Sequence, residues 1–273
     1  MDTSAKLDVE LRKATAERKK QPGHRCLGKQ RDGGFALVVG VPTACFTPQQ
    51  LRSLADIVER YASVSHLSTA QSMILVGIAR QDYYAARQAV LDAGFQIRSV
   101  GHDVYHIKCC PGADFSPFGL QRTFSLVTYL EETFRCLPLP SKLKIAVSGC
   151  ANCCANTRLS DFGIHAVTGG WRIFIGGKMG LVPVVAQMIA LSVDTDAVPK
   201  YLAALVRAYR VLAQPGERLF KTIDRLGIET FKTALESYLD HPYDDLAAEA
   251  KQARLAMEQD PCTGIVEAGA PGE

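Results

Sequence analysis

The chain has 273 residues, 47% hydrophobic and 22% charged, with a formal net charge of +3. That length is enough to bury one large core or two small ones, and so slight a positive excess excludes a dedicated nucleic-acid binder. No apolar signal segment opens the sequence, and the longest apolar run, Leu181 to Val193, is interrupted by Gln187 and too short to span a bilayer, so a cytoplasmic location is expected.

Residues 1–30 are polar and basic and read as a frayed or helical arm, with Cys26 a free thiol. Phe35 to Val41 reads as a buried strand. Thr47-Pro48-Gln49-Gln50 follows, with Thr47 as N-cap, Pro48 at N1 and Gln50 at N3. Leu51, Leu54, Ala55, Val58 and Tyr61 then recur at helical spacing. A second strand region covers 66–78, a helix runs over about 82–93 to Gly94, and 95–100 gives a third strand. The expected unit is α+β, half of a two-layer domain.

A helix is expected from Pro117, and a strand over 142–148. Phe162 to Val167 and Trp171 to Ile175 form a predicted hairpin turned by Thr168-Gly169-Gly170. Gly176, Gly177 and Gly180 mark a tight loop, read either as an anion-binding nest or as a plain turn. From Pro183 the pattern predicts helices over 183–192, 196–213, 217–226 and 228–238. Beyond Asp240 come one amphipathic helix and a Pro/Gly-rich end expected to be disordered. The expected division is an arm over 1–30, a first half-domain over 31–100, a second domain over 101–240, and a tail over 241–273.

Five of the nine cysteines fall in two tight groups, Cys109-Cys110 and Cys150 to Cys154. Clustered cysteines in a reducing compartment point to metal, cluster or redox work rather than disulfides. Thiolates gathered at the ends of elements hold a metal ion or an iron–sulfur cluster, and both remain open from spacing alone. Cys150 and Cys154 are spaced C-x3-C after a strand, and Cys110 opens Cys-Pro-Gly, where Gly112 admits close backbone approach. Adjacent cysteines point different ways, so one of each adjacent pair is expected to ligate and the other to pack. Lys142 and Lys144 share a strand face, with Leu143 and Ile145 on the buried one. Two ammonium groups together suit a polyanionic ligand. Cys45, Cys136 and Cys262 read as core or surface thiols, and His66, His102, His106 and His165 as structural histidines. Tyr105 and His106 are candidate proton donors beside the first loop.

CPGADFS (110–116), KLKIAVSGCANCC (142–154) and DFGIHA (161–166) resemble the siroheme and [4Fe-4S] half-domain of the nitrite/sulfite reductase family. Residues 35–100 resemble its ferredoxin-like half-domain, and 217–231 its closing helices. The fold this implies is α+β: a ferredoxin-like half-domain, an α/β siroheme/[4Fe-4S] half-domain, then a helical C-terminal part. The resemblance makes Cys110, Cys150 and Cys154 ligands, with Cys154 bridging to siroheme iron. It makes Lys142 and Lys144 the pair that holds siroheme carboxylates and the anionic substrate, sulfite or nitrite.

Three positions depart from the family pattern. Ser116 stands where C-x5-C has its second cysteine, leaving Ser116 or Cys109 as the fourth-ligand candidate. Ala70 replaces the arginine of the T-R-Q strand, and Tyr105 aligns with a second family arginine. Lys108, Arg122, Arg158 and Lys178 are the cations available to compensate. No flavin or nicotinamide fingerprint is present, which implies an external electron-donor protein, and a single copy of the half-unit implies a homodimer or a related partner subunit. The alternatives are a non-catalytic electron-transfer or tetrapyrrole-binding protein and a zinc-bound or cofactor-free interaction subunit.

Overall fold

A computed structural model describes residues 27–30, 34–98 and 101–259. The expectations for Cys26, Cys262 and the Pro/Gly-rich end lie outside the described residues. So does most of the arm, but its last residues form a strand, β1 (Leu27–Lys29), rather than a frayed or helical segment.

The first half is a five-stranded antiparallel sheet. Its path runs β1, β2 (Phe35–Gly40), β4 (Met73–Ile78), β3 (Val64–Leu67), and β5 (Gln96–Ile97) pairs with the free part of β2. With helices α1 (Pro48–Tyr61) and α2 (Tyr83–Asp92), β2 to β5 give the βαββαβ order of a ferredoxin-like unit. The start of α1 follows from its residues. The Thr47 hydroxyl accepts from the Gln50 N–H, and the Gln50 side chain accepts from the Thr47 N–H. The expected single strand over 66–78 is instead two strands folded back at residues 68–72, with Gln71 at φ +59°. Leu37, Val39, Leu54, Ile57, Leu75, Val90 and Ile97 form this half's core.

The second half holds the larger core and a second five-stranded sheet, ordered β10-β9-β8-β7-β6. Strands β6 (Lys108–Cys109), β7 (Ile145–Ser148) and β8 (Phe162–Val167) run parallel. The remaining two, β9 (Gly170–Ile175) and β10 (Gln187–Val193), are antiparallel. Four helices follow: α4 (Val198–Leu212), α5 (Leu219–Leu226), α6 (Ile228–Glu236) and α7 (Asp244–Gln259). Trp171, Leu202, Tyr209, Phe231 and Leu246 are all essentially buried in the second core.

Three expected elements of this half differ, the least of them the strand over 142–148, which begins only at Ile145 and leaves Lys142 and Lys144 ahead of it. The segment 183–192 is not helical; its C-terminal part is the edge strand β10, whose backbone groups pair with the open side of β9. A short apolar run does not distinguish the two states, and the available sheet edge decides it. The helix expected from Pro117 begins only at Phe124, as α3 (Phe124–Phe134). Residues 112–121 are held as a loop by Ala113 N–H to Gln121 O (2.9 Å) and Ser116 N–H to Gly112 O (2.8 Å). The Asp114 carboxylate then reaches across to accept the Thr123 and Phe124 N–H groups at 2.9 and 3.0 Å, satisfying the helix start.

The halves are joined by buried polar contacts. Arg98 donates to both Glu131 oxygens at 2.8 and 2.9 Å and to Val41 O at 2.7 Å. Arg87 on α2 donates to the Met257 and Glu258 carbonyls, tying the end of α7 back to the first half.

Candidate cluster and anion site

Adjacent parallel strands leave a sheet at the same edge, and the carboxyl ends of such strands are where open α/β sheets place ligands. Cys109 pairs with Val147 across β6 and β7, so both cysteine loops depart side by side. The Cys110 N–H donates to Val147 O at 3.1 Å, and the Gly149 N–H donates to Cys110 Sγ at 3.1 Å. Gly149 O accepts from Leu120 N–H at 2.7 Å. A Cβ on Gly149 would lie 2.3 Å from Gly112 Cα, so only glycine permits this contact. The loops meet backbone to backbone.

Strand alternation separates the neighbouring thiols. Cys109 is 2% exposed and packs in the second core. Burial, then the nearby Cys110 and Glu131, pushes its thiol far above the usual range. It is the packing member of its pair, and Cys110 faces the second loop. Of the other group, Cys150 is buried, Cys153 half-buried and Cys154 exposed. Cys153 adopts φ +55°, and its Sγ lies 3.1 Å from Thr157 Oγ1. Burial opposes the Cys153 thiolate, but hydrogen bonds from Thr157, Arg158 and Ser148 outweigh it and hold this thiol below its ordinary value. Ser116, the other fourth-ligand candidate, sits half-buried in the first loop, its hydroxyl accepting from Phe118 N–H at 3.3 Å.

Lys144 is exposed, with Leu143 and Ile145 buried on either side of it. Its N–H donates to Asp161 Oδ2 at 2.9 Å, and Arg218 grips both oxygens of that carboxylate at 2.8 and 2.7 Å. Asp161 is buried, and burial raises its pKa while Arg218 pulls it back. Lys142 is half-buried and already engaged by a neighbouring group. The expected glycine loop is a packing turn: Gly176 N–H donates to Asp161 O, and a Cβ on Gly177 would strike Ser160 O at 2.5 Å.

His106 does not suit the proton-donor role. Its Nε2 lies 2.7 Å from Ala70 O, which only accepts, so the network places the ring proton on Nε2 and commits it there. Burial, then the Arg98 charge, lowers its pKa to about 3, and Nδ1 has no partner. Tyr105 is half-buried, and burial raises its pKa. Ala70 therefore serves through its carbonyl, at the tip that docks the first half on the second.

Gln71 is not legible as a site member from sequence, and Lys108 is legible only as one of four compensating cations. Gln71 brackets the Cys109 peptide, donating to its carbonyl at 2.6 Å and accepting from its N–H at 2.8 Å, as a strand neighbour would. Nothing local in the sequence signals this pairing. Lys108 lies opposite Ala146 across β6 and β7, on the face away from the core. The alternation of His106, Lys108 and Cys110 with buried Ile107 and Cys109 could have revealed that face. Burial, then the Lys144 charge, lowers the Lys108 pKa, while Cys153 opposes this.

Residues 100–243 match the family described as the nitrite and sulphite reductase 4Fe-4S domain, and 28–92 match the nitrite/sulfite reductase ferredoxin-like half domain. The chain belongs to the nitrite/sulfite reductase family. It is 27% identical over 203 residues to an assimilatory-type sulfite reductase of Nitratidesulfovibrio vulgaris, covering 74% of this chain and 92% of that one. Against a nitrite reductase [NAD(P)H] of Bacillus subtilis it is 27% identical over 208 residues, 76% of this chain but only 26% of the relative. The fold is shared with the Mycobacterium tuberculosis NirA protein at a TM-score of 0.65 and 21% identity, over 79% of this chain and 42% of that structure.

Membership implies a [4Fe-4S] cluster and siroheme. The residues fit both. Cysteine thiols are the donors such a cluster takes. The Gly112–Gly149 contact brings the Cys110 loop against the Cys150 loop, and the Gly149 N–H donates to Cys110 Sγ. Lys108 and Lys144 give the adjoining face the positive charge a carboxylate-bearing macrocycle needs. Among the described residues no three His, Cys, Asp or Glu side chains gather as a site for a single metal ion. None of the helices described is long and apolar enough to cross a membrane.

Proposed function

We propose that this chain is a sulfite/nitrite reductase-like oxidoreductase, within the division of 31–100 and 101–240. Cys110, Cys150 and Cys154 are the thiolates that would hold the cluster, with Cys154, the exposed member, on the siroheme side. When bound, the two cofactors supply electrons to an oxyanion at the siroheme iron. The chain's own contribution is positioning and charge. The Asp161–Arg218 pair fixes the backbone of Lys144, and Lys142 and Lys144 neutralise the anion. Electrons come from an external donor protein, and a second copy or a related subunit completes the site.

The observation that carries this reading is the direct contact of the two cysteine loops through Gly112 and Gly149. An absorption spectrum after anaerobic purification, with iron and acid-labile sulfide assays, tests it. Chlorin-type bands with iron and sulfide are expected, and Cys154→Ala should abolish both cofactors. Zinc alone, or unchanged spectra in that variant, would overturn the assignment. A second reading, a tetrapyrrole-binding or electron-transfer protein without turnover, is favoured by Ala70 and Tyr105, which stand where the family pattern has cations. Turnover of sulfite or nitrite with a reduced dye divides the two.

A further inference from the structure

Strand register places Lys108 and Lys144 on one face. Lys108 lies opposite Ala146, and Lys144 comes two residues before Ala146, just ahead of β7 with its carbonyl accepting from Phe162 N–H, so the two lysines are diagonal neighbours. Such neighbours stand about 7–8 Å apart at the backbone, within reach of one small anion for side chains this long. Cys110 follows on the same face as Lys108, two residues along the chain. The residue opposite Lys108 is the small Ala146, and His106, two residues before Lys108, feels the Lys144 charge from the same face. Among the described residues neither ammonium forms an ion pair or a hydrogen bond with a carboxylate.

Two like charges on one half-buried face repel, and an anion between them reverses the sign of that interaction. Lys144 is exposed, but Lys108 is half-buried, so its charge is less screened by solvent. We propose that Lys108 is a specificity-determining residue of the site, gripping with Lys144 a single oxyanionic group beside Cys110. The inference rests on the reductase reading and adds a cation that the paired lysines of KLK do not include. It gives this chain a positive charge to replace those lacking at Ala70 and Tyr105. The group held is either the oxyanion substrate or a carboxylate of the tetrapyrrole, which share the same recognition chemistry.

Lys108→Gln and Lys108→Arg, each reconstituted with cluster and siroheme, separate the two sources. If the substrate is held, the sulfite concentration that half-perturbs the absorption spectrum rises about tenfold or more in Lys108→Gln, as loss of one charge-assisted hydrogen bond implies. Siroheme content then stays at the parent level. If a cofactor carboxylate is held, siroheme content after gel filtration falls and the sulfite titration of the loaded fraction is unmoved. In either case Lys108→Arg restores much of the loss. Parent-like siroheme retention and sulfite titration in Lys108→Gln, with either measure altered in Lys144→Gln, would overturn the proposal. A titration of sulfite and inorganic phosphate into the cofactor-free protein keeps the two readings distinguishable. A parent that loads no siroheme but binds these anions, and loses them in Lys108→Gln, removes the reductase reading and leaves the lysine pair. A parent that does neither removes both.

Discussion

The two sheets have the same number of strands and opposite uses. The first is antiparallel throughout, and its contribution to the site is one turn at residues 68–72. The second pairs β6, β7 and β8 in parallel, which forces the chain to cross over between them. The crossover from β6 to β7 carries α3, and both strands then release their loops at the same edge. Cys110 and Cys150, forty positions apart, meet because of that pairing and not because of any local pattern. An antiparallel sheet places tips; a parallel one assembles a site.

The contacts between the two sheets carry the largest expected effect. Glu131 accepts from Arg98 and from the Ile107 N–H at 2.9 Å, one residue before β6. Both ionised side chains are almost wholly buried. Glu131→Ala leaves Arg98 charged and unpaired in the interior, and should cost about 3–5 kcal/mol of stability. Urea unfolding of the cofactor-free protein measures it. A loss under about 1 kcal/mol, the range of exposed pairs, would mean that the halves are not held through this pair.

Much of the first sheet is legible in the sequence because its signals are local. Thr47 and Gln50 announce a helix start, and Gly94 a helix end at φ +76°. The second sheet resists the same reading. Residues 187–193 are apolar without a deciding period, and only the open side of β9 makes them a strand. The late start of α3 depends on Asp114, a side chain nine residues upstream of the Thr123 N–H that it accepts. The candidate cysteine ligands are visible as chemistry, through spacing and the family resemblance. Their meeting is not, since it rests on the pairing of β6 with β7 and on two glycines touching. Gln71 was the least visible, for its partner is a peptide thirty-eight residues away.

The contact of His106 with the 68–72 turn sharpens the comparison through pH. Its folded pKa of about 3 lies below the ordinary 6.5, so the unfolded chain takes up the proton first as the pH falls. The stability it contributes is therefore complete above 6.5 and is lost as the pH drops toward 3, at about 1.4 kcal/mol per unit. Arg98, Lys144 and Arg135 all oppose its protonation after burial, which keeps the window open across that range. In His106→Gln the amide can still donate to Ala70 O without titrating. Between pH 6.5 and 5 the parent should lose about 2 kcal/mol more than this variant in urea unfolding. Equal losses would show that the turn does not shelter His106 in solution.

The smallest expected effect tests whether the first sheet is scaffold alone. Thr47 caps α1, and its hydroxyl satisfies the Gln50 N–H at 3.1 Å. Thr47→Ala should lower stability by about 1 kcal/mol, the usual worth of such a cap. Since α1 packs on the first core and supplies no cysteine or lysine to the site, the variant should load cluster and siroheme as the parent does. Iron and sulfide content measured beside the unfolding midpoint separates the two readouts. A drop in cofactor content larger than the stability loss explains would mean that strain in the first sheet passes through Gln71 to Cys109 and on to its neighbour Cys110, and that the first sheet tunes the centre as well as supporting it.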